Sequence, residues 1–213
     1  MIYFPDFIIL VKKVNVIFMY EKIVLASTSP RRKQLLEWAE IPFDIIAYNT
    51  DEILPEGMPL RDAAMQVAKE KALAVKKMLN DKRIIIAADT IVVMDEMVLG
   101  KPKNEDEAIN MLTLLQNNTH QVITGVAIIN GERQILFADS TEVVFHPLTP
   151  QQIIFYVEKY KPYDKAGAYA IQEWIGVVGI KSISGDFYNV MGLPVSRVIK
   201  ELERLNNPFI GEE

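Results

Sequence analysis

Residues 84–93, IIIAADTIVV, are apolar throughout except at Asp89 and Thr90. A strand with one wet face alternates apolar and polar side chains; this one does not, so it must be covered on both faces inside a layered fold. The neighbouring segments supply the layers. Residues 22–26 (KIVLA) and 43–49 (FDIIAYN) read as strands, and residues 121–145 as two long strands joined at Asn130-Gly131, a dipeptide that favours a hairpin. A late strand is expected over 175–183 (IGVVGIKSI). Helices are expected from Ser29-Pro30, where the serine caps and the proline takes the first helical position, and over 60–79, where the apolar residues recur at helical spacing. Three more follow: from a capping-box-like Asn104 and Glu107 to Leu115, from Thr149-Pro150 to about Tyr160, and from Pro194 to about Leu205. Strands and helices mix without strict alternation, which predicts an α/β fold with a mixed β-sheet flanked by helices.

A chain of 213 residues, half of them hydrophobic, can bury such a core without metals or disulfides. No repeat, low-complexity tract or Gly/Ser linker divides it, so residues 22–213 read as one domain. Residues 1–21 read as an extension, either an extra strand or a loosely attached segment. Its apolar residues are broken by Asp6, Lys12 and Lys13, which suits neither a secretory signal nor the roughly 18 to 20 apolar residues of a membrane span. MYEKIVLAS offers a second start at Met19, so whether the extension belongs to the natural chain stays open. A cytoplasmic protein without a membrane partner is expected. There is no cysteine, which excludes disulfides, thiolate metal sites and a thiol nucleophile. His120 and His146 lack zinc-site spacing and read as structural, so any metal should be one held by carboxylate oxygens. A net charge of −5 argues against a nucleic-acid partner, and any anionic ligand must be met by local charge.

Such local charge stands in LASTSPRR, residues 25–32. The first turn of a helix carries free N–H groups and partial positive charge, so Arg31 and Arg32 there have the wrong sign for helix stability. A phosphate would compensate, accepting from backbone N–H groups, the Ser27 and Ser29 hydroxyls and the guanidinium forks; pairing with surface carboxylates is the alternative. Asp89 is a carboxylate in an apolar strand, so it must be neutralised by a proton, a cation or a metal, or else accept backbone hydrogen bonds at a strand end. Lys71 falls in the middle of the apolar stripe of the 60–79 helix, where it either snorkels to solvent or points into a cleft. Lys101, in GKP, is a turn lysine without a stronger signal of its own. In the small-residue segment YDKAGAYAIQEW, residues 163–174, the amide of Gln172 is able to read a base edge through its paired donor and acceptor, unless the segment is an ordinary loop.

These pieces, in this order, resemble the Maf family of nucleoside triphosphate pyrophosphatases, once described as septum-formation inhibitors. The resemblance spans residues 22 to about 205 and rests on LASTSPRR, TDE ending at Glu52, AKEKA around Lys71, ADT at Asp89-Thr90, GKP at Lys101, THQVITGV, DKAGAYAIQ and NVMGLP. It implies two lobes with a central cleft, a fold like that of the inosine triphosphate pyrophosphatases, and a homodimer. It also implies hydrolysis of a nucleoside triphosphate to the monophosphate and diphosphate with a divalent cation, and ADT resembles the dTTP/UTP branch. By position, Asp89 would be the proton acceptor and a metal neighbour, and Glu52 a further metal or water ligand. Arg31, Thr90 and Gln172 would match positions tied to nucleotide choice, and Arg32, Lys71 and Lys101 would lie on the phosphates. The family commonly has GIQG where this chain has AIQE, residues 170–173, so Glu173 and the bulky Trp174 are expected to reshape the base pocket. The first 21 residues have no counterpart.

The anomalies then explain one another. Arg31, Arg32, Lys71 and Lys101 would neutralise a triphosphate, while Glu52 and Asp89 would hold Mg2+ or Mn2+ and Asp89 would deprotonate the attacking water. A non-catalytic regulator of cell division that binds nucleotide or protein through the same cleft is the alternative, but it has no need of the acidic pair.

Overall fold

The computed structural model describes residues 22–206, apart from 49, 51, 80 and 81. The extension expected at residues 1–21 lies outside the described residues, as does the end of the chain after 206. The sheet has seven strands in the order β2-β1-β3-β5-β6-β7, with β4 also paired to β3. These are β1 (Ile23–Leu25), β2 (Phe43–Ile45), β3 (Ile85–Met94), β4 (Met97–Leu99), β5 (Thr119–Asn130), β6 (Arg133–Phe145) and β7 (Ile180–Ser184). The first three pair in parallel, and every other pairing is antiparallel. The mixed sheet expected from the sequence is therefore present, with the hairpin turning at Gly131 and Glu132.

Because side chains alternate across a strand, β3 feeds two layers. Ile86, Ala88, Val92 and Met94 face a core shared with α1 (Pro30–Trp38), α3 (Glu105–Leu115), α4 (Pro150–Tyr160) and α7 (Val195–Asn206). Ile85, Ala87, Ile91 and Val93 face α2 (Leu60–Met78), which covers the other side with Ala64, Ala68, Ala72 and Val75. Asp89 belongs by alternation to the α2 face and Thr90 to the opposite one. Both faces of β3 are covered, as its unbroken apolar run requires.

The helix starts follow their caps. Ser29 Oγ accepts from Arg32 N–H with Pro30 at the first helical position, and Thr149 and Gln152 form a reciprocal capping box. Asn104 accepts from Glu107 N–H, but the returning Glu107 carboxylate accepts from Lys103 N–H rather than from the cap itself. The segment read as a late strand is divided. Residues 174–179 form a short helix, α5 (Trp174–Gly179), and only then does β7 begin. A short apolar run carries no period that separates helix from strand, and here Gly176 decides. Its missing side chain lets the helix press on the preceding turn, where a Cβ would lie 1.7 Å from the Ile171 carbonyl oxygen. Another short helix, α6 (Phe187–Met191), precedes α7.

One irregularity in the sheet positions the site. On the edge of β3 opposite β5, pairing with β1 occupies Ile85 and Ile86, and pairing with β4 occupies Val92 to Met94. Among the described residues no strand lies beside residues 87–91 on that edge, so Asp89 and Thr90 border a gap in the sheet. Directly across the ladder from Asp89 stands Gly125, and a Cβ there would meet the α2 backbone at Ala64, 2.3 Å from its carbonyl carbon. The helix thus rests on bare backbone at the level of Asp89. A Gly125→Ala variant is expected to lose about 1–3 kcal/mol of unfolding free energy in urea titration, the usual cost of forcing atoms into a packed core; an unchanged midpoint would show that the helix is not held this close.

Candidate active site

At the end of β1 the chain turns through Ser27, Thr28 and Ser29 into α1, beside the gap in the sheet. The turn is tied by its own hydroxyls: Ser27 Oγ accepts from Ser29 N–H at 3.2 Å and from Arg32 Nη1 at 3.2 Å. Arg32 also donates from Nε to the Gly192 carbonyl at 2.8 Å and from Nη2 to Thr90 Oγ1 at 3.0 Å. Three of its five N–H donors are thus spent on neutral partners. Desolvation lowers its pKa; Asp89 opposes this, Arg31 adds to it, and Glu52 opposes it again. Among the described residues no carboxylate lies within ion-pair distance of Arg32. Arg31 differs, pairing at 3.0 Å with Asp164 from the segment after α4. Of the two readings of the arginine corner, the carboxylate partner therefore holds for Arg31 and not for Arg32.

The gap also gathers the carboxylates. Lys71 comes from the buried face of α2, and its Nζ lies 2.6 Å from Asp89 Oδ1 and 2.8 Å from Glu52 Oε1. Lys101, just past β4, lies 2.7 Å from Glu52 Oε2. The result is a row of alternating charge, Asp89, Lys71, Glu52, Lys101, drawn from four separate parts of the chain. Burial would raise the pKa of Glu52, but the hydrogen bonds from Lys101 and Lys71 and their charges outweigh it and hold the pKa at about 2. Asp89 Oδ2 takes no hydrogen bond from the described residues.

One cleft is lined by Ser27, Ser29, Arg31, Arg32, Glu52, Asp89, Thr90, Lys101 and Gln172. Lys71 is the exception among the expected site residues. It borders a smaller adjoining cavity of about 80 Å³ with Thr28, Arg32 and Glu52, and stands behind the carboxylates rather than on the cleft wall. It neither snorkels nor reaches open solvent, with a side chain only 10% exposed. Across the cleft, Gln172 Oε1 is buried and has no hydrogen-bond partner, although a buried acceptor ordinarily finds one. Glu173 and Trp174, expected to reshape the base pocket, do not stand on its wall. Glu173 turns its carboxylate to Tyr156 and Lys165, Trp174 packs its ring on Phe155 and Tyr156, and neither lines the cleft.

Sequence reasoning did not single out the Gly192 carbonyl, Tyr169, or Asp164 as the partner of Arg31. The first is a backbone atom and leaves no side-chain signal. Tyr169 lines the cleft and its hydroxyl lies 2.7 Å from Nε2 of the buried His120, whose pKa burial lowers to about 4. That histidine stays neutral and packed, as a structural residue should.

The donor set fits a hard divalent cation. Two carboxylates come within 2.8 Å of one ammonium, so a site for positive charge already exists between them. Among the described residues no group of three or more His, Cys, Asp or Glu side chains gathers. Mg2+ or Mn2+ would therefore complete its shell with water and ligand oxygens, which Mg2+ does readily.

No helix among the described residues is long and apolar enough to cross a membrane. A family model described as Maf-like protein matches residues 22–205. A relative from Cytophaga hutchinsonii named dTTP/UTP pyrophosphatase is 55% identical over 186 residues, covering 87% of this chain and 85% of the relative. Relatives of the same name from Parabacteroides distasonis and Bacillus cereus (strain G9842) are 45% and 46% identical, covering 85% and 87% of this chain and 95% and 96% of their own. Among solved structures, the Staphylococcus aureus Ham1 protein superposes with a TM-score of 0.47 at 17% identity, over 86% of this chain and 100% of that one. With the family match running from β1 into α7 and such relatives at close to half identity or better, the chain belongs to the Maf-like protein family.

Proposed function

We propose that this protein is a nucleoside triphosphate pyrophosphatase that hydrolyses dTTP and UTP to the nucleoside monophosphate and diphosphate. The observation that carries the reading is the composition of one cleft: a carboxylate pair on a shared lysine and an arginine that, among the described residues, has no ion pair, together with a glutamine whose buried amide oxygen has no partner among them. The first group suits a polyphosphate and the second a base. The names of the relatives agree.

In the reaction, Arg32, Lys101 and the Ser27 and Ser29 hydroxyls bind phosphate oxygens. Water attacks the α-phosphorus in line, Asp89 Oδ2 takes its proton, and the bond from the α-phosphorus to the bridging oxygen breaks to release diphosphate. Lys71 acts from behind, holding Asp89 and Glu52 in place. A divalent cation held by Glu52 and Asp89 would draw electron density from the phosphoryl oxygens and offset the charge of the leaving group. Most of the acceleration then comes from placement and preorganised charge. For the base, Gln172 Oε1 accepts the ring N3–H that uracil and thymine present and cytosine lacks, with Arg31 and Thr90 beside it.

Asp89→Asn leaves Lys71 its pair with Glu52, so it should lose stability but keep the fold, and lose about two orders of magnitude or more in kcat, the scale of general-base removal. Diphosphate release from a panel of nucleoside triphosphates, with and without Mg2+ or Mn2+, checks this; no release by the wild type with nucleotide binding intact would favour a non-catalytic regulator. Arg32→Gln should raise KM and weaken the salt dependence of nucleotide binding, since one cation leaves the phosphate site. If KM and salt slope stay at wild-type values, Arg32 is not a phosphate contact. Glu52 has a folded pKa of about 2 against an ordinary 4.5, so its contribution to stability is present above pH 4.5 and disappears as the pH falls towards 2. Glu52→Gln should therefore flatten the acid limb of the stability profile in that window. The effect is modest because the side chain is 44% exposed, and an unchanged limb would show that the lysines do not hold it ionised.

A further inference from the structure

Glu173 follows Gln172 and occupies the N-cap of α5, where a carboxylate ordinarily accepts the free N–H groups of the first turn. Its side chain caps nothing. Instead Oε2 accepts a hydrogen bond from the Tyr156 hydroxyl, and Oε1 lies 3.5 Å from Lys165 Nζ. The Tyr156 hydroxyl in turn accepts from Ala170 N–H at 3.3 Å. Ala170 and Glu173 are the two ends of a tight turn closed by Glu173 N–H donating to the Ala170 carbonyl at 3.0 Å. One phenol therefore grips both ends of the turn whose third residue is Gln172.

The phenol is itself immobile. Tyr156 is fully buried in α4, and its ring stacks on Tyr160 with centroids 4.9 Å apart and more loosely on Trp174 at 6.5 Å. Burial first, and then the hydrogen bond to Glu173 and its charge, push the Tyr156 pKa upward, so the hydroxyl remains a donor at working pH. Such a clamp matters because Gln172 lines the cleft and its buried Oε1 has no hydrogen-bond partner among the described residues. An acceptor selects a ring N–H only if its position is fixed, and a loose turn would let the amide rotate and present its NH2 instead.

We propose that Tyr156 and Glu173 are positioning residues for base selection, clamping the 170–173 turn so that Gln172 meets the N3–H of a uracil or thymine ring. They touch neither the phosphates nor the reacting atoms. This rests on the pyrimidine reading above, and the test separates the two. Calorimetric titration of the full chain and of Tyr156→Phe, Glu173→Ala and Glu173→Gln would use two ligands: α,β-methylene-UTP, which carries the base and resists cleavage, and inorganic tripolyphosphate, which has no base. Tyr156→Phe and Glu173→Ala are expected to weaken binding of the uridine analogue about tenfold and to leave tripolyphosphate affinity within about twofold, as loss of one base contact would do. Glu173→Gln keeps an oxygen acceptor for the phenol and should bind the analogue nearly as the wild type does.

Unchanged analogue affinity in the first two variants would overturn the proposal, as would equal losses for both ligands or a Glu173→Gln variant as weak as Glu173→Ala. A wild type that binds the analogue no better than tripolyphosphate would instead overturn the pyrimidine reading, and this proposal with it.

Discussion

The Lys71 ammonium, held between Asp89 and Glu52, is the interaction on which the site depends. Its distances of 2.6 and 2.8 Å join α2, the strand that borders the gap, and Glu52 from the segment before α2. Neither Lys71 nor Asp89 is solvated enough to stand alone, since removing one partner of a buried pair commonly costs about 3–5 kcal/mol. The pair thus supports the fold as well as the site. It also explains the bare backbone at Gly125, because a helix held off by a side chain at that level would sit farther from β3 and from Asp89.

The two enclosed cations of the site stand in different states. Lys71 has its countercharges within the protein, whereas Arg32 spends its hydrogen bonds on two neutral oxygens of side chains and one backbone carbonyl, with no carboxylate in ion-pair reach among the described residues. Its charge is oriented but not cancelled. The arrangement is stable because its three hydrogen bonds partly replace water, and it remains available because two N–H donors are left over and an arriving anion has no countercharge to displace. A protein of net charge −5 can in this way keep a strongly positive point at the mouth of α1 without a basic surface.

Much of this was legible in the sequence because each element broke a rule. A carboxylate in an apolar strand, a lysine on an apolar helix face and two arginines in a helix's first turn each required a partner, and the partners turned out to include one another. What sequence reasoning could not supply was direction. A helical period locates Lys71 on a face and says nothing of which side of a neighbour its terminal nitrogen reaches; the structure sets that nitrogen against Asp89 and Glu52, beside the smaller cavity that Arg32 also borders. Residues 174–179 form a helix where a strand was expected for a related reason: a short apolar run carries no period, and only the approach of the Ile171 carbonyl shows why Gly176 stands inside a helix. The Gly192 carbonyl on Arg32 was invisible, since any residue supplies a carbonyl.

The site is divided in how it is anchored, and this bears on what can change in it. Asp89 sits in a ten-residue strand paired on one edge from Ile85 to Val93, and Lys71 on a nineteen-residue helix packed across that strand. Shifting either would disrupt the core, so the geometry of the charged row is tied to the stability of the fold. Gln172 sits on a short turn between a 3-10 segment and a six-residue helix, and is oriented by side chains from α4 and from its own neighbour. Replacing Glu173 alters a hydrogen bond and an ion pair but no layer of the core. Substitutions on the Gln172 side of the cleft should therefore cost the fold less than substitutions at Asp89 or Lys71.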